Sequence, residues 1–241
     1  MTDKRFQMPA IILGLSLVVS VIIFGNFIYK IQSLNNTLTV TGSSRQKVVS
    51  DTGKLVGRFM RNTNVNNLKD AYKLMESDKT KVVNFFKSQG IDEKAMTIST
   101  VSQQEIWKQN EYDGQPKQYN LVQTIEINSN DVNQLDKLSK NFQALVDQNV
   151  LFSIERVEYY VSKLPEYRVS MLSDAIKDAK ARAEKIAASS GKRVGVIKSA
   201  SAGVVQVLSP NSIDITDYGT YDTSSINKEI MVTVKALFTI R

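Results

Sequence analysis

The hydrophobic positions divide the chain into one long apolar block and a patterned remainder. From Phe6 to Tyr29 no residue carries a charge, and Ala10–Phe24 is mostly aliphatic. Crossing about 30 Å of hydrocarbon at 1.5 Å per residue takes about 20 residues, so the block is long enough to span a bilayer. Lys4 and Arg5 precede it, Lys30 follows it, and Phe27 and Tyr29 sit where an interfacial aromatic belt would lie. Gln32–Thr37 is polar and Asn-rich and reads as a juxtamembrane linker. The predicted division is therefore a stub and anchor over residues 1–33 and a body over 34–241.

Within the body, strand and helix periods interleave. Leu38–Gly42 reads as a strand that Gly42 punctuates, and Lys47–Arg61 as a less regular extended segment. Leu68, Ala71, Tyr72, Met75, Val82 and Phe86 recur at helical spacing, with Asn66 as cap and Gly90 past the end. Lys79 interrupts that stripe, which predicts an exposed or bent middle. Strands follow around Met96–Trp107 and Lys117–Asn128, joined by a loop carrying the hairpin signal Tyr112-Asp113-Gly114. Leu135, Leu138, Phe142, Leu145 and Asn149 share a face of a second helix entered through Ser129–Asp131, and a strand lies near Phe152–Val161.

A third helix opens at Pro165, with Val169, Leu172, Ile176, Ala179, Ala183 and Ile186 as its stripe and Gly191 at its close. So small a buried face requires a close neighbour. Val194–Ser199 and Val204–Leu208 are β-rich, and Ser209–Asn227 is a long polar loop. Ile230–Ile240 alternates strictly and reads as the best strand of the chain. Together these predict an α+β fold with helices on a mainly antiparallel sheet.

The apolar block has two rival readings. A cleaved signal peptide has a shorter apolar region and a small-x-small site, and no Ala-x-Ala follows this one. A buried core helix is the other rival, but an uncharged run of this length is too long and too apolar all round for one. The flanking charges favour a cytoplasmic N-terminus, which puts the body outside the cytoplasm.

Composition removes chemistry. The chain has no Cys and no His, so disulfides, lipid-modified cysteine, Ser-His-Asp or Cys-His nucleophiles, and imidazole or thiolate metal sites are excluded. The net charge of +7 is spread among acids without a basic block, which argues against nucleic acid as a partner.

The remaining motifs are weak. Asp214, Asp217 and Asp222 supply hard-cation oxygen ligands in one loop, but without EF-hand spacing, so solvated acids are the plainer reading. Asp174, Asp178 and Glu184 lie among Lys177, Lys180, Arg182 and Lys185, as on a solvated helix face. Asp178 and Arg182 form a favourable i,i+4 pair. Gly191-Lys192-Arg193-Val194-Gly195 leaves a helix and enters a strand, the reverse of a phosphate-binding loop, and reads as a C-cap turn. Trp107 reads as a core or sheet-face residue, with anchoring of a partner as the alternative.

Several segments resemble the bacterial SIMPL-domain family, which includes periplasmic immunogenic antigens. Ala175-Ile176-Lys177-Asp178-Ala179, Ala183, Ile186-Ala187 and Gly191 resemble its signature helix, Thr39-Val40-Thr41-Gly42 its first strand, and Gly90-Ile91 with Thr97 its helix-to-strand passage. The resemblance covers roughly residues 38–241. Ser50-Asp51 stands where members often have Pro-Asp, and Ser209–Asn227 is poorer in Pro and Gly than their late loop. The resemblance implies an extracytoplasmic α+β domain, ring- or channel-like homo-oligomers, and envelope or oxidative stress roles. It brings no catalytic, cofactor-binding or metal-ligating residues.

The expectation is thus a non-enzymatic, single-pass inner-membrane protein. Its body faces the periplasm or cell exterior and self-assembles beyond a dimer with cyclic or dihedral symmetry, offering the long C-terminal strand as an edge. The alternative is a monomeric or dimeric module for a ligand or peptide that the residues do not specify.

Overall fold

The computed structural model describes residues 4–33, 36–107 and 116–241. The hairpin signal Tyr112-Asp113-Gly114 lies outside the described residues. In chain order the elements are α1 (Lys4–Ser33), β1 (Thr37–Val49), β2 (Thr52–Asn64), α2 (Leu68–Ser88), β3 (Met96–Ile98), β4 (Ser102–Ile106) and β5 (Gln118–Ser129). There follow α3 (Val132–Lys140), α4 (Gln143–Asp147), β6 (Leu151–Tyr160), α5 (Leu164–Ser189), β7 (Val194–Ala202), β8 (Gln206–Leu208) and β9 (Asn227–Ile240). The fold is α+β with antiparallel sheets, as the patterning predicts.

The chain condenses into two units, one of residues 47–164 and 206–230 and one of 1–46, 165–205 and 231–241, with β1 and β9 each contributing to both. The first unit holds a five-stranded sheet of order β3-β5-β2-β6, with β4 also on β5. Its core joins Leu55 and Phe59 of β2 and Leu121, Ile125 and Ile127 of β5 to Met75, Val82 and Phe86 of α2, Leu135 of α3 and Leu145 of α4. Gly57 carries no side chain because Phe152, on the neighbouring strand β6, occupies that space.

Three local expectations are corrected in this unit. Asn66 does not cap α2: Asn64 caps a single 3-10 turn, Val65–Asn67, by accepting from the amides of Asn66 and Asn67, and α2 continues from that turn with Asn67 at its N-cap position and no side-chain cap bond. Lys79 does not interrupt the α2 stripe, because Asp78 fills that slot and is buried. The second helix is two: α3, capped by Asp131 on the Gln134 amide, ends at Lys140, and α4 restarts after Asn141 and Phe142.

The second unit contains α1, most of β1, α5, β7 and the later part of β9. Val40, Ala179, Ala183, Ala236 and Phe238 form its apolar cluster, with Leu38 and Val194 against it. Gly42 is not a strand terminus. It sits inside β1, where a Cβ would lie 2.7 Å from Ala179 Cβ and closer still to the backbone of Ala175 and Ala179. The glycine is there so that α5 can lie on the strand.

The buried α5 positions are Met171, Ala175, Ala179, Ala183 and Ala187. Val169, Ile176 and Ile186 are exposed, so the large members of the expected stripe are out of phase, while its Ala179 and Ala183 are buried as read. Close packing selected the small residues over the large ones. Gly191 at φ +69° ends the helix, its amide on Ala188 O and that of Lys192 on Ala187 O, which is the predicted C-cap turn.

The C-terminal strand is not an edge. In the four-stranded sheet of order β1-β9-β7, with β8 also on β9, it lies between two neighbours. Its even-numbered residues from Lys228 to Phe238 are all buried. Strict alternation with one buried face marks a strand but does not say whether it is flanked on both sides.

Candidate functional site

The most elaborate side-chain cluster organises the loop between β8 and β9. Lys228 stands at an inward position of β9 and its side chain is wholly buried. Its ammonium donates to the carbonyls of Asp222 and Ser225, lies 3.6 Å from the Asp222 carboxylate and 5.8 Å from the Tyr221 ring centroid. Burial pushes the lysine down from its ordinary value, against the pull of Asp222. The Asp222 carboxylate accepts from the amides and hydroxyls of both Ser224 and Ser225. Burial alone would raise it, but those hydrogen bonds and the Lys228 charge outweigh that and hold it at about 2.

This arrangement fixes a loop. Val207 N–H donates to Thr220 O, Asp222 N–H to Val207 O, and Gln206 Nε2 to Thr216 O at 2.6 Å. From that frame Ile213 and Tyr218 project almost fully into solvent. Of the three loop acids, Asp222 is turned to Lys228 and the serines, while Asp214 pairs locally with Ser212. Among the described residues no group of three or more acids gathers as a cation cage.

Beside the loop a hollow of about 470 Å³ is lined by Asp136, Ser139, Tyr159, Ser224 and Ser225. Tyr159 is pushed up to about 12 by burial and by Asp136, whose carboxylate its hydroxyl meets at 3.4 Å. Asp51, in the turn from β1 to β2, accepts from the amide and hydroxyl of Ser162 at 2.7 and 2.6 Å. Ser50, where the resemblance leads one to expect proline, donates its amide to Ile226 O at 2.9 Å, a bond that proline could not make.

A second buried charge lies between β2 and α2. Asp78, 1% exposed, takes both Nε and one terminal nitrogen of Arg61, the latter at 2.8 Å. Arg61 also reaches Asn149 O at 3.3 Å. Neither this pair nor Lys228 was singled out in the sequence. Both left a signal: Asp78 falls on an apolar helix stripe, and Lys228 on the apolar phase of a strand.

Three acids of α5 form surface pairs. Asp178 binds Arg182 at 2.8 Å and accepts from the Ser43 amide at 2.8 Å, Asp174 binds Lys177 at 3.0 Å, and Glu184 lies 3.9 Å from Lys180. Trp107 is not in a core. It is 80% exposed, with the Lys117 ammonium 5.9 Å from its ring centroid.

The N-terminal helix is of a different kind. Ile11–Ile31 has a mean hydropathy of 2.6 and none of it is buried, so α1 is long and apolar enough to cross a membrane. A helix of that class, at the N-terminal side of an α+β body, fits a membrane anchor or a signal sequence. Residues 38–235 match SIMPL, described as a protein of unknown function (DUF541), and the chain belongs to that family. No curated protein matches it.

Proposed function

We propose that this is a single-pass envelope protein of the cytoplasmic membrane, anchored by α1, whose extracytoplasmic body acts without catalysis as a homo-oligomer. The observation that carries the reading is the Ile11–Ile31 stretch of α1, strongly apolar and none of it buried. Twenty-one predominantly apolar helical residues that the body does not bury are best satisfied by lipid. Lys4 and Arg5 support a cytoplasmic N-terminus. Membership of the SIMPL family supports an exported body and, by resemblance, self-assembly and a role in envelope or oxidative stress. The buried Lys228, Asp222, Arg61 and Asp78 are engaged in holding turns and elements together, which supports a scaffold.

Alkaline carbonate washing of membranes tests the anchor: the protein stays in the pellet, and deletion of residues 1–33 releases it. Protease added to spheroplasts should digest the body, and protection there with digestion in inverted vesicles would reverse the orientation. Light scattering in mild detergent tests assembly. A protein mass near 27.0 kDa would remove it and leave the ligand-binding module.

A further inference from the structure

β7 is a strand with one neighbour and no cover. Among the described residues it pairs only with β9, and from Val196 to Ala202 every residue is exposed, alternate side chains included. Val196 is 72% exposed and Ile197 44%. A strand that over its last seven residues buries neither face gains little from its own sheet there, and its outer row of amides and carbonyls is a template for another strand. The opposite edge of the same sheet is different. On β1 the Ser43 amide is taken by Asp178 of α5, and Gly42 is covered by the same helix. The β1 edge is thus engaged by α5 at mid-strand, while β7 is exposed along Val196–Ala202.

The open edge has a usable register. Its pairing with β9 shifts between Val194 and Ile197 and again between Ile197 and Ser199, and then runs regularly from Ser199 to Ala202. Gly203 N–H bonds to Thr233 O. By antiparallel alternation, Ser201 and Ser199 also face β9, and Ala200 and Ala202 direct their amides outward. The side chains along this stretch are only Ser and Ala, so nothing bulky opposes an approaching strand.

We propose that β7 is completed by the β7 of a second copy, the two running antiparallel about a two-fold axis near Ala200. This rests on the homo-oligomer reading above and names the contact through which it begins. An antiparallel edge strand is complementary to itself, so one patch serves both partners, as an isologous contact requires. In that register Lys198, the single charge on the strand, faces Ala202 of the partner rather than its own counterpart, so no like charges meet. Two copies anchored in one membrane meet at high local concentration, which favours a modest contact.

The chain has no cysteine, which makes a disulfide test clean. In full-length protein in membranes, Ala200→Cys places two thiols opposite each other at a Cα separation of about 5.5 Å, within disulfide reach. Mild oxidation should give a band at twice the 27.0 kDa chain mass, while Thr41→Cys on β1 should stay single. Ala200→Pro removes an outward amide on each copy and leaves the β9 ladder intact. The loss of two hydrogen bonds should weaken association about tenfold or more with the melting temperature of the dissociated chain unchanged. If the proline variant does not fold, Ala200→Lys sets two like charges together and should dissociate the pair.

A native mass of one chain would sink both the assembly reading and this contact. A native mass of two or more chains, with no Ala200→Cys band and with Ala200→Pro or Ala200→Lys still assembled, would overturn the β7 contact alone. A cross-link from Ala200→Cys to a different protein in place of the dimer would overturn the second copy in favour of an extended peptide as occupant.

Discussion

Gly42→Ala isolates the contact between α5 and β1. The added Cβ would lie 2.7 Å from Ala179 Cβ and closer still to Ala175 O and Ala179 N, where ordinary contact begins near 3.4 Å. Two of the three obstructing atoms are backbone, so no rotamer change relieves the clash. Either the helix withdraws by about 1 Å or the strand bends. Withdrawal would also stretch the 2.8 Å bond from Ser43 N–H to Asp178 and loosen Val40, Ala183 and Phe238. Overpacking of a tight core costs about 1–3 kcal/mol, and the backbone obstruction puts this case near 3 kcal/mol. For a chain of this length that is a fall in melting temperature of about 6–12 °C. Thermal unfolding followed by circular dichroism in mild detergent reads it, with the exposed neighbour Thr41→Ala as a control expected within about 0.5 kcal/mol. Adding Ala179→Gly should recover less than half of the loss, because the Ala175 and Ala179 backbone atoms remain. A Gly42→Ala protein melting within about 1 °C of the native one would show that α5 is not seated on this strand.

Ala179→Leu should cost about 1–3 kcal/mol by overpacking, and exposed Ala181→Leu less than about 0.5 kcal/mol; equal effects would mean that the helix is turned otherwise. Arg61→Leu leaves Asp78 buried without its partner and should cost about 3 kcal/mol, with Arg61→Leu/Asp78→Leu recovering much of it in denaturant titrations. Asp222 sits at about 2 in the folded protein against 3.8 as an ordinary carboxylate. Because the folded value is the lower one, its contribution is full above about pH 4 and is lost as pH falls toward 2, an effect of about 2 kcal/mol. Asp222→Asn should flatten that part of the stability–pH curve, and an unchanged curve would remove Asp222 as its source.

What could be read from the sequence is what repeats along it. The uncharged run Phe6–Tyr29, the alternation in Leu121–Ile127 and Ile230–Ile240, and the capping and closing residues Asp131 and Gly191 all report local periods, and the structure places helix, strands and caps there. The α5 stripe was half right: Ala179 and Ala183 are buried, but Val169, Ile176 and Ile186 are not, because the partner surface around Gly42 admits only small residues. Which strands are flanked, and which are edges, depends on pairings between residues far apart, so β9 gave no sign of lying between β1 and β7. The ion pairs were visible only as anomalies: a charge on an apolar phase states that a partner exists but does not name it. Arg61 precedes Asp78 by the end of β2, a connecting turn and about three turns of α2, and no periodicity links them.

The order of strands bears on how the body is made. β9 follows every other strand in the chain, yet it is the one that joins β1 to β7. Until it emerges, β1 has no neighbour and β7 has none, and the α5 alanines have only half of the surface they cover. A nascent chain therefore cannot close this sheet as it is synthesised, whereas the pairing of β2, β5 and β6 is complete much earlier. The body's final cooperative step waits on its last strand, and α1 has by then long been available to the membrane. Loss of residues 227–241 alone would leave both β1 and β7 as unpaired strands, so a late truncation should be as damaging to this half of the fold as the loss of its core.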